Sequence, residues 1–191
     1  ITHIKGLVQV REGRTGFVAG AEMTTLPVLQ DAFVAIKDGR IEAVGPMHEL
    51  PSSLKAERSI MATGKFVFPS FVDSHTHLVF AAPREEEFVM KLKGASYAEI
   101  AAKGGGILNS AARLQAMSED ELFQRSLPRA WEIIGTGTGA VEIKSGYGLT
   151  VDDELKMLRV ARRLGELGQV GVVTSYLGLH AVPAEHRHDR S

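Results

Sequence analysis

Apolar strand-like segments and amphipathic helical segments alternate along the chain from residue 66 onward. The strand-like segments are residues 66–73, 139–143 and 170–177. The helical segments are residues 85–93, 96–103, a longer stretch that begins at Ser118, and 151–167. This alternation predicts a parallel sheet covered by helices on both faces, and its strand spacing suits part of a (β/α)8 barrel, which takes roughly 250 residues. Because only about 125 residues follow Phe66, we expect the first strands and helices of such a barrel over residues 66–191.

Residues 1–65 have a different pattern, made of short strands and turns. Its clearest unit runs from Phe33 to Gly45, where two apolar-rich segments flank Asp38-Gly39. Asp and Gly both tolerate the positive φ that a tight hairpin turn needs, so the segment predicts a β-hairpin. We therefore expect a small β domain over residues 1–65.

The two longer helices carry recognisable start signals. Ser118 with Glu121 three residues later forms a capping box. The helical spacing predicts that one buried face follows it, made of Phe123, Leu127, Ala130, Trp131 and Ile134. In the helix over 151–167, three acidic residues occupy the positive end of the helix dipole, namely Asp152, Asp153 and Glu154. Its predicted apolar stripe is Leu155, Leu158, Ala161 and Leu164.

Two histidines follow the first strand of the predicted barrel, in Asp73-Ser74-His75-Thr76-His77. Residues two apart in a strand point to the same side, so both rings should enter one space at the carboxyl end of the strand, where barrel enzymes carry their chemistry. Two convergent imidazoles can bind a divalent metal ion, which lowers the pKa of bound water and polarises a carbonyl. The alternative is a chance tripeptide on a solvated edge. The preceding apolar strand and the absence of cysteine favour the metal site.

Further side chains follow the strand-like segments. His180 ends the third segment, on the same face as the histidine pair, although a histidine bonded to a backbone carbonyl is the alternative. Arg84, in the loop after His77, could bind a substrate carboxylate through two hydrogen bonds or be a solvated arginine among glutamates. Tyr147, between two glycines, could reach a ligand or pack on its own loop. For Lys144, an ion pair or hydrogen bond is favoured over a carbamylated metal bridge.

Two glycine-rich stretches could suggest a phosphate site. Residues 135–139 follow a helix and precede a strand, which is the reverse of the order that a phosphate loop requires. Residues 104–106 follow a helical segment that has no strand before it, so they also lack the order of a phosphate loop. We expect a mobile loop there, near the candidate site.

Composition narrows the classes of partner. The 22 Lys and Arg residues nearly balance 23 Asp and Glu residues, for a formal net charge of −1, which offers no electrostatic surface for nucleic acid or an anionic membrane. No apolar run approaches the roughly 20 residues that span a bilayer, and the first residues lack a signal-peptide core. The absence of cysteine excludes a disulfide framework and fits a reducing compartment. We expect a cytoplasmic protein with a small-molecule substrate.

Several segments together resemble the imidazolonepropionases, a family of the metal-dependent amidohydrolase superfamily that acts in histidine degradation. The similarity runs from about Ala32 to Ala184 and includes the hairpin before the barrel and the segments FVDSHTHLVFAAPREEEF, GASYAEIAAKGGGIL, VEIKSGYGLTVDDELKMLRVARRL and YLGLHAVPAE. A His-x-His after a strand is specific only to the superfamily. The combination of REEEF, SYAEIAAKGGGI, EIKSGYGL and LHAVP is specific to this family.

The resemblance implies the first part of a TIM-like amidohydrolase barrel, preceded by a small β-sandwich built from both chain ends. It implies one divalent metal ion, Zn or Fe, and hydrolysis of the cyclic amide of 4-imidazolone-5-propanoate to N-formimidoyl-L-glutamate. By position, His75 and His77 match metal ligands. Arg84, Tyr147 and His180 match substrate contacts, with Arg84 suited to the substrate carboxylate, and we expect Tyr97 to line the same pocket.

No catalytic residue is assigned within the chain, because the family's further metal ligands and its general base lie on later strands. We therefore expect residues 1–191 alone to bind metal weakly and to be inactive. Two alternatives stay open. One is another cyclic amidase or deaminase of the superfamily, and the other is a non-catalytic barrel fragment that serves as an interaction module. A homodimer is expected, since enzymes of this size are often homodimers.

Overall fold

The computed structural model describes residues 1–11, 16–103, 105–178 and 180. Contacts within the chain divide it into two units, Ile1–Pro69 and Ser70–Ser191. That the first unit belongs to a β-sandwich and the second to a barrel stays a prediction. In the described part of the chain, no helix combines the length and the apolar character needed to cross a membrane.

The first unit is built on a four-stranded sheet. Its strands are β1 (Ile4–Val8), β2 (Val28–Lys37), β3 (Arg40–Pro46) and β4 (Phe66–Val67), in the order β3-β2-β1-β4. The hairpin prediction is confirmed, because β2 and β3 pair antiparallel and the turn residues Asp38 and Gly39 have φ of 50° and 73°. The buried core of this unit is Ile4, Leu7, Ala32, Val34 and Ala62.

In the second unit, the described residues form a three-stranded parallel sheet and five helices. Its strands β5 (Phe71–Thr76), β6 (Thr138–Lys144) and β7 (Gly171–Ser175) pair in that order. The helices are α1 (Glu85–Leu92), α2 (Tyr97–Ala102), α3 (Ile107–Gln115), α4 (Glu119–Gly135) and α5 (Val151–Glu166). The predicted parallel α/β arrangement is confirmed for these strands. The short helix α3 was not predicted, because it directly follows the glycine-rich stretch at 104–106.

The single strand predicted over residues 66–73 is wrong. Phe66 and Val67 form β4, which pairs in parallel with β1 of the first unit. Phe71 begins β5, which pairs with β6 of the second unit. Pro69 lies between the two strands, and its missing N–H cannot continue a ladder of hydrogen bonds. The apolar run therefore contributes to two sheets.

The predicted buried faces of α4 and α5 are confirmed in part. Trp131 of α4 and Leu155 of α5 remain 48% and 42% exposed, whereas Leu122, Ala130 and Met157 are buried. The central stripe of α4 includes Ser126, whose hydroxyl donates to the Leu122 carbonyl at 2.8 Å and is thereby satisfied in the core. The other predicted residues agree better with the prediction: Ala130, Ala161 and Leu164 belong to the buried core, and Phe123, Leu127 and Ile134 pack against it. The predicted faces are therefore wrong at Trp131 and Leu155.

The parallel sheet was predicted to be covered on both faces, but its strands β5 and β7 are largely exposed. Phe71, Val72 and Val173 are 62%, 72% and 64% exposed, whereas Val141 and Ile143 of the central strand β6 are buried. Only β6 is paired on both edges within the described residues. The central strand is covered by its neighbours and by α4 and α5, and each outer strand has one open edge.

The capping box that begins α4 provides a test of local stability. The Ser118 hydroxyl accepts from the Glu121 N–H at 3.2 Å, and the Glu121 carboxylate accepts from the Ser118 N–H at 3.0 Å. We expect Ser118→Ala to lower the free energy of unfolding by about 1 kcal/mol in a urea titration, because one amide of the first turn loses its acceptor. Glu132→Ala, an exposed position on the same helix, is the control. An equal loss in both variants would contradict this account.

Candidate active site at the strand ends

Four aromatic rings meet at the carboxyl ends of the parallel strands. The His77 ring centroid lies 5.9 Å from His75, 4.9 Å from Tyr147 and 5.2 Å from His180. The Tyr147 and His180 centroids are 5.6 Å apart. The structure thus brings together the two candidate metal ligands and two of the candidate substrate contacts, while their roles stay predictions.

Hydrogen bonds between the strand ends hold this cluster together. The Thr76 hydroxyl donates to the Glu142 carbonyl at 2.7 Å and joins the end of β5 to β6. Ser145, fully buried after β6, donates its N–H to the Ser175 carbonyl at 3.0 Å, and its hydroxyl accepts from the Leu177 N–H at 2.9 Å. These bonds extend the parallel pairing beyond the strands, so that the segments carrying Tyr147 and His180 leave the sheet side by side.

The surroundings of His77 favour its neutral form, which is the form that binds a metal ion. Burial, reinforced by the nearby positive charges of His180, His75 and Lys144, lowers the pKa of His77 below its ordinary value, with a smaller opposing effect from the Ser145 backbone. Its Nδ1 atom is buried and has no hydrogen-bond partner in the part of the chain that the structure describes. A neutral imidazole with a free ring nitrogen is a suitable ligand for Zn or Fe.

The histidine pair does not complete a metal site within the described residues. No group of three or more His, Cys, Asp or Glu side chains there is arranged to hold an ion. Stable zinc sites use three or four protein ligands. His75 and His77 therefore fit a metal ion as two members of a larger ligand set.

Lys144 forms the ion pair that the sequence favoured. Its Nζ atom lies 2.5 Å from Oε1 of Glu142, and both side chains are largely buried. Burial alone would raise the pKa of Glu142, but hydrogen bonds from Lys144 and Ser175 outweigh it and hold that pKa below its ordinary value. With its ammonium group already paired, Lys144 gives no support to carbamylation.

Arg84 is held by Glu87, one of the three glutamates that follow it in the sequence. Arg84 donates from Nε at 2.9 Å and also from Nη2 to Oε2 of Glu87, which is buried. Oε1 of Glu87 accepts from the Gly106 N–H at 2.9 Å. The pKa of Arg84 is raised mainly by its hydrogen bond to Glu87, with a smaller opposing effect of burial.

The glycine stretch near the site is anchored where the structure describes it. The Gly105 N–H donates to the Ile100 carbonyl at 3.0 Å, and Gly106 is bonded to Glu87. The mobility expected for this loop stays a prediction, and Gly104 lies outside the described residues. Tyr97 is 64% exposed, and its hydroxyl lies 3.7 Å from the position that a Cβ on Gly106 would occupy. The loop thus borders Tyr97.

Arg129 of α4 is a second residue that the sequence analysis missed. Its guanidinium donates to the carbonyls of Leu78 and Phe80 at 2.9 and 2.8 Å and lies 3.7 Å from the centre of the Phe80 ring. It thereby fixes the backbone that directly follows His77. The sequence indicates this role of Arg129 only weakly, because a single arginine within a helix is usually solvated.

Curated relatives cover the whole chain. An imidazolonepropionase of Flavobacterium johnsoniae is 48% identical over 191 residues, which are all of this chain and 46% of the relative. One of Christiangramia forsetii is 48% identical over 189 residues, 99% of this chain and 46% of the relative. One of Cereibacter sphaeroides is 53% identical over 160 residues, 84% of this chain and 40% of the relative. The chain thus spans less than half the length of these relatives.

A solved structure shares the fold. Escherichia coli guanine deaminase matches with a TM-score of 0.56 and 14% sequence identity, over 94% of this chain and 38% of that chain. This similarity supports the mixed α/β fold and nothing finer. No family model matches the sequence.

The Arg84–Glu87 pair predicts a pH dependence of stability. The hydrogen bond from Arg84 holds the pKa of Glu87 below its ordinary value of 4.5. Because the folded state favours the charged carboxylate, this stabilisation is present above the unfolded-state pKa and is lost as the pH falls through the folded-state pKa. We expect Glu87→Gln to be less stable than wild type near neutral pH, with the difference shrinking below about pH 4. Urea titrations at several pH values measure it, with the exposed Glu86→Gln as control; a difference independent of pH would contradict the assignment.

Proposed function

We propose, from the homology of the whole chain to the imidazolonepropionases, that these residues form part of a hydrolase that opens the cyclic amide of 4-imidazolone-5-propanoate to give N-formimidoyl-L-glutamate. The observation that carries the proposal is the cluster of His75, His77, Tyr147 and His180 at the strand ends. Parallel α/β enzymes bind their substrates at this end of the sheet. The relatives' names support a hydrolase of histidine degradation.

Arg84 is suited to the carboxylate of the substrate. Glu87 occupies the Nε and Nη2 atoms of Arg84, and within the described residues Nη1 has no protein partner. A guanidinium that is fixed on one edge can present its other edge to a carboxylate with little loss of side-chain entropy. Binding the flexible tail in this way orients the ring of the substrate toward the four clustered side chains.

Tyr147 and His180 are suited to the ring of the substrate. Each can donate a hydrogen bond, from the phenol or from a ring N–H, to the amide oxygen as negative charge develops there. Tyr147 is only partly exposed, and its ring packs against His77 and His180. Contacts of this kind restrict the phenol to few orientations and strengthen a donated hydrogen bond by excluding water.

His75 and His77 would hold one divalent ion, Zn or Fe, since imidazole suits both metals. When bound, such an ion acts as a Lewis acid on the amide carbonyl and lowers the pKa of water. We propose that the remaining ligands and the general base come from the part of the relatives that this chain does not cover. Within the chain, His75 and His77 would bind the ion. Arg129 fixes the backbone that directly follows His77.

The second candidate is another amidohydrolase that acts on a neutral ring. The guanidinium of Arg84, which Glu87 fixes on one edge, favours a substrate with a carboxylate, since a neutral nucleobase gives the guanidinium no anionic partner. A homodimer is proposed as well, without a specific contact to define its interface.

A completed enzyme tests the reaction and the role of Arg84. It consists of residues 1–191 followed by the remainder of the Flavobacterium johnsoniae relative. We expect it to hydrolyse 4-imidazolone-5-propanoate, and Arg84→Ala to raise KM by about 10- to 100-fold with a smaller change in kcat, since a charged hydrogen bond is lost. Steady-state kinetics measure both, with the exposed Arg125→Ala as control. No hydrolysis of this substrate, or an unchanged KM in Arg84→Ala, would favour the neutral-ring amidohydrolase.

Metal content tests the histidine pair independently of turnover. We expect the completed enzyme to copurify with close to one equivalent of Zn or Fe, and His75→Ala or His77→Ala to lose most of it, because each removes a ligand. Elemental analysis of the purified proteins measures the metal. His48→Ala, which removes an exposed histidine of the first unit, should retain the metal. Stoichiometric metal in both ligand variants would refute the site.

Residues 1–191 alone are expected to bind Zn at least tenfold more weakly than the completed enzyme and to show no hydrolysis, because two imidazoles are an incomplete ligand set. Titration with the metal and the same kinetic assay decide this point. Measurable turnover by the isolated chain would overturn it.

A further inference from the structure

Glu154 is a buried carboxylate with an unusual set of partners. It is 2% exposed, and its two oxygens accept three backbone N–H groups, from Gly146 at 2.5 Å, Gly148 at 2.6 Å and Leu149 at 3.0 Å. Within the described residues it forms no ion pair. A carboxylate that is removed from water needs compensation, and here hydrogen bonds from the backbone supply it.

The loop that Glu154 binds has a conformation that it would not readily adopt alone. Leu149 has a φ of 60°, which is unfavourable for a residue with a side chain, and Gly146 has a φ of 121°. At Gly148, a Cβ would lie 2.5 Å from the backbone nitrogen of Glu154. The absence of side chains at positions 146 and 148 therefore allows the backbone to close around the carboxylate, which also lies in the first turn of α5.

Tyr147 lies between the two glycines that Glu154 holds. Its ring packs against His77 and His180, and a Cβ on Gly146 would lie 3.0 Å from Cβ of His180. The backbone that the carboxylate holds therefore determines where the phenol and the neighbouring imidazole meet. We infer that Glu154 is a positioning residue that presents Tyr147 to the substrate; this inference rests on the proposed function.

Both carboxylate oxygens of Glu154 are needed to hold the loop at residues 146–149. Oε2 accepts from Gly146 on one side of Tyr147, and Oε1 accepts from Gly148 and Leu149 on the other side. Glutamine retains the size of the side chain but replaces one acceptor with an amide NH2 group, which would face a backbone donor. Glu154→Gln should therefore release one side of the loop without removing the side chain from the core.

The completed enzyme allows two readouts of this effect. We expect Glu154→Gln to accelerate amide hydrogen exchange at residues 146–149 at least tenfold, with exchange in β6 and in the rest of α5 unchanged. We expect kcat/KM to fall by about 10- to 100-fold, since a displacement of about 1 Å in a positioning group can cost that much. Asp152→Asn is the matched control, because it removes an exposed charge from the same helix turn, and it should change neither quantity.

A double variant separates positioning from general stabilisation. If Glu154 acts through Tyr147, the kcat/KM of Glu154→Gln combined with Tyr147→Phe should equal that of Tyr147→Phe alone within about threefold, since interacting residues are non-additive. Three outcomes would each overturn the inference. The losses of kcat/KM in the two single variants could be fully additive in the double variant. Amide exchange of the loop in Glu154→Gln could match that in Asp152→Asn, or exchange could become faster across the whole second unit. If Glu154→Gln does not fold, Glu154→Asp keeps the charge, withdraws it by one methylene and is judged by the same criteria.

The two proposals can fail separately. A completed wild-type enzyme without hydrolytic activity would refute the proposed function, and the exchange measurement would still decide whether Glu154 holds the loop. An active wild-type enzyme with an unaffected Glu154→Gln variant would refute the positioning role alone.

Discussion

Parallel pairing of β5, β6 and β7 is the constraint on which the site depends. Parallel strands end at the same edge of a sheet, so side chains that are far apart in the chain meet there. Thr76 pairs with Ile143, and Lys144 pairs with Ser175, so the segments after the three strands begin at one level. Because the register is set by backbone hydrogen bonds, the proximity of the histidines and Tyr147 follows from the sheet and needs no direct bond between their side chains.

Two buried glutamates then shape the loops at that edge. Glu87 binds Arg84 and the Gly106 N–H, and Glu154 binds the backbone on both sides of Tyr147. Each belongs to the first turn of its helix, where the helix dipole favours a negative charge. Burial of a carboxylate is costly unless its oxygens are bonded, so each loop must close on its glutamate for the unit to be stable. Folding of the helices and ordering of the loops are thereby coupled.

Much of the local structure could be predicted because its causes are local. The Asp38-Gly39 turn and the Ser118–Glu121 capping box depend on neighbouring residues, and both are present. The continuous strand at 66–73 and the buried position of Trp131 were wrong because they depend on which distant segment each residue meets. Glu154 could have been identified, since it shares a helical face with Met157, Ala161 and Leu164, but acidic residues at a helix start are also explained by the dipole.

The sequence alone determined the alternation of strands and helices and the residue types available for chemistry, because periodicity and composition are properties of the chain. It also limited a transition-metal site to imidazole and carboxylate ligands, since cysteine is absent. Only the tertiary structure decided that His77 is partly buried, with an Nδ1 that has no partner among the described residues, and that Glu87 and Glu154 bind loops while Glu85, Glu86 and Asp152 remain exposed. These properties depend on desolvation and on hydrogen bonds between distant segments, which exist only after the sheet and its helices have packed.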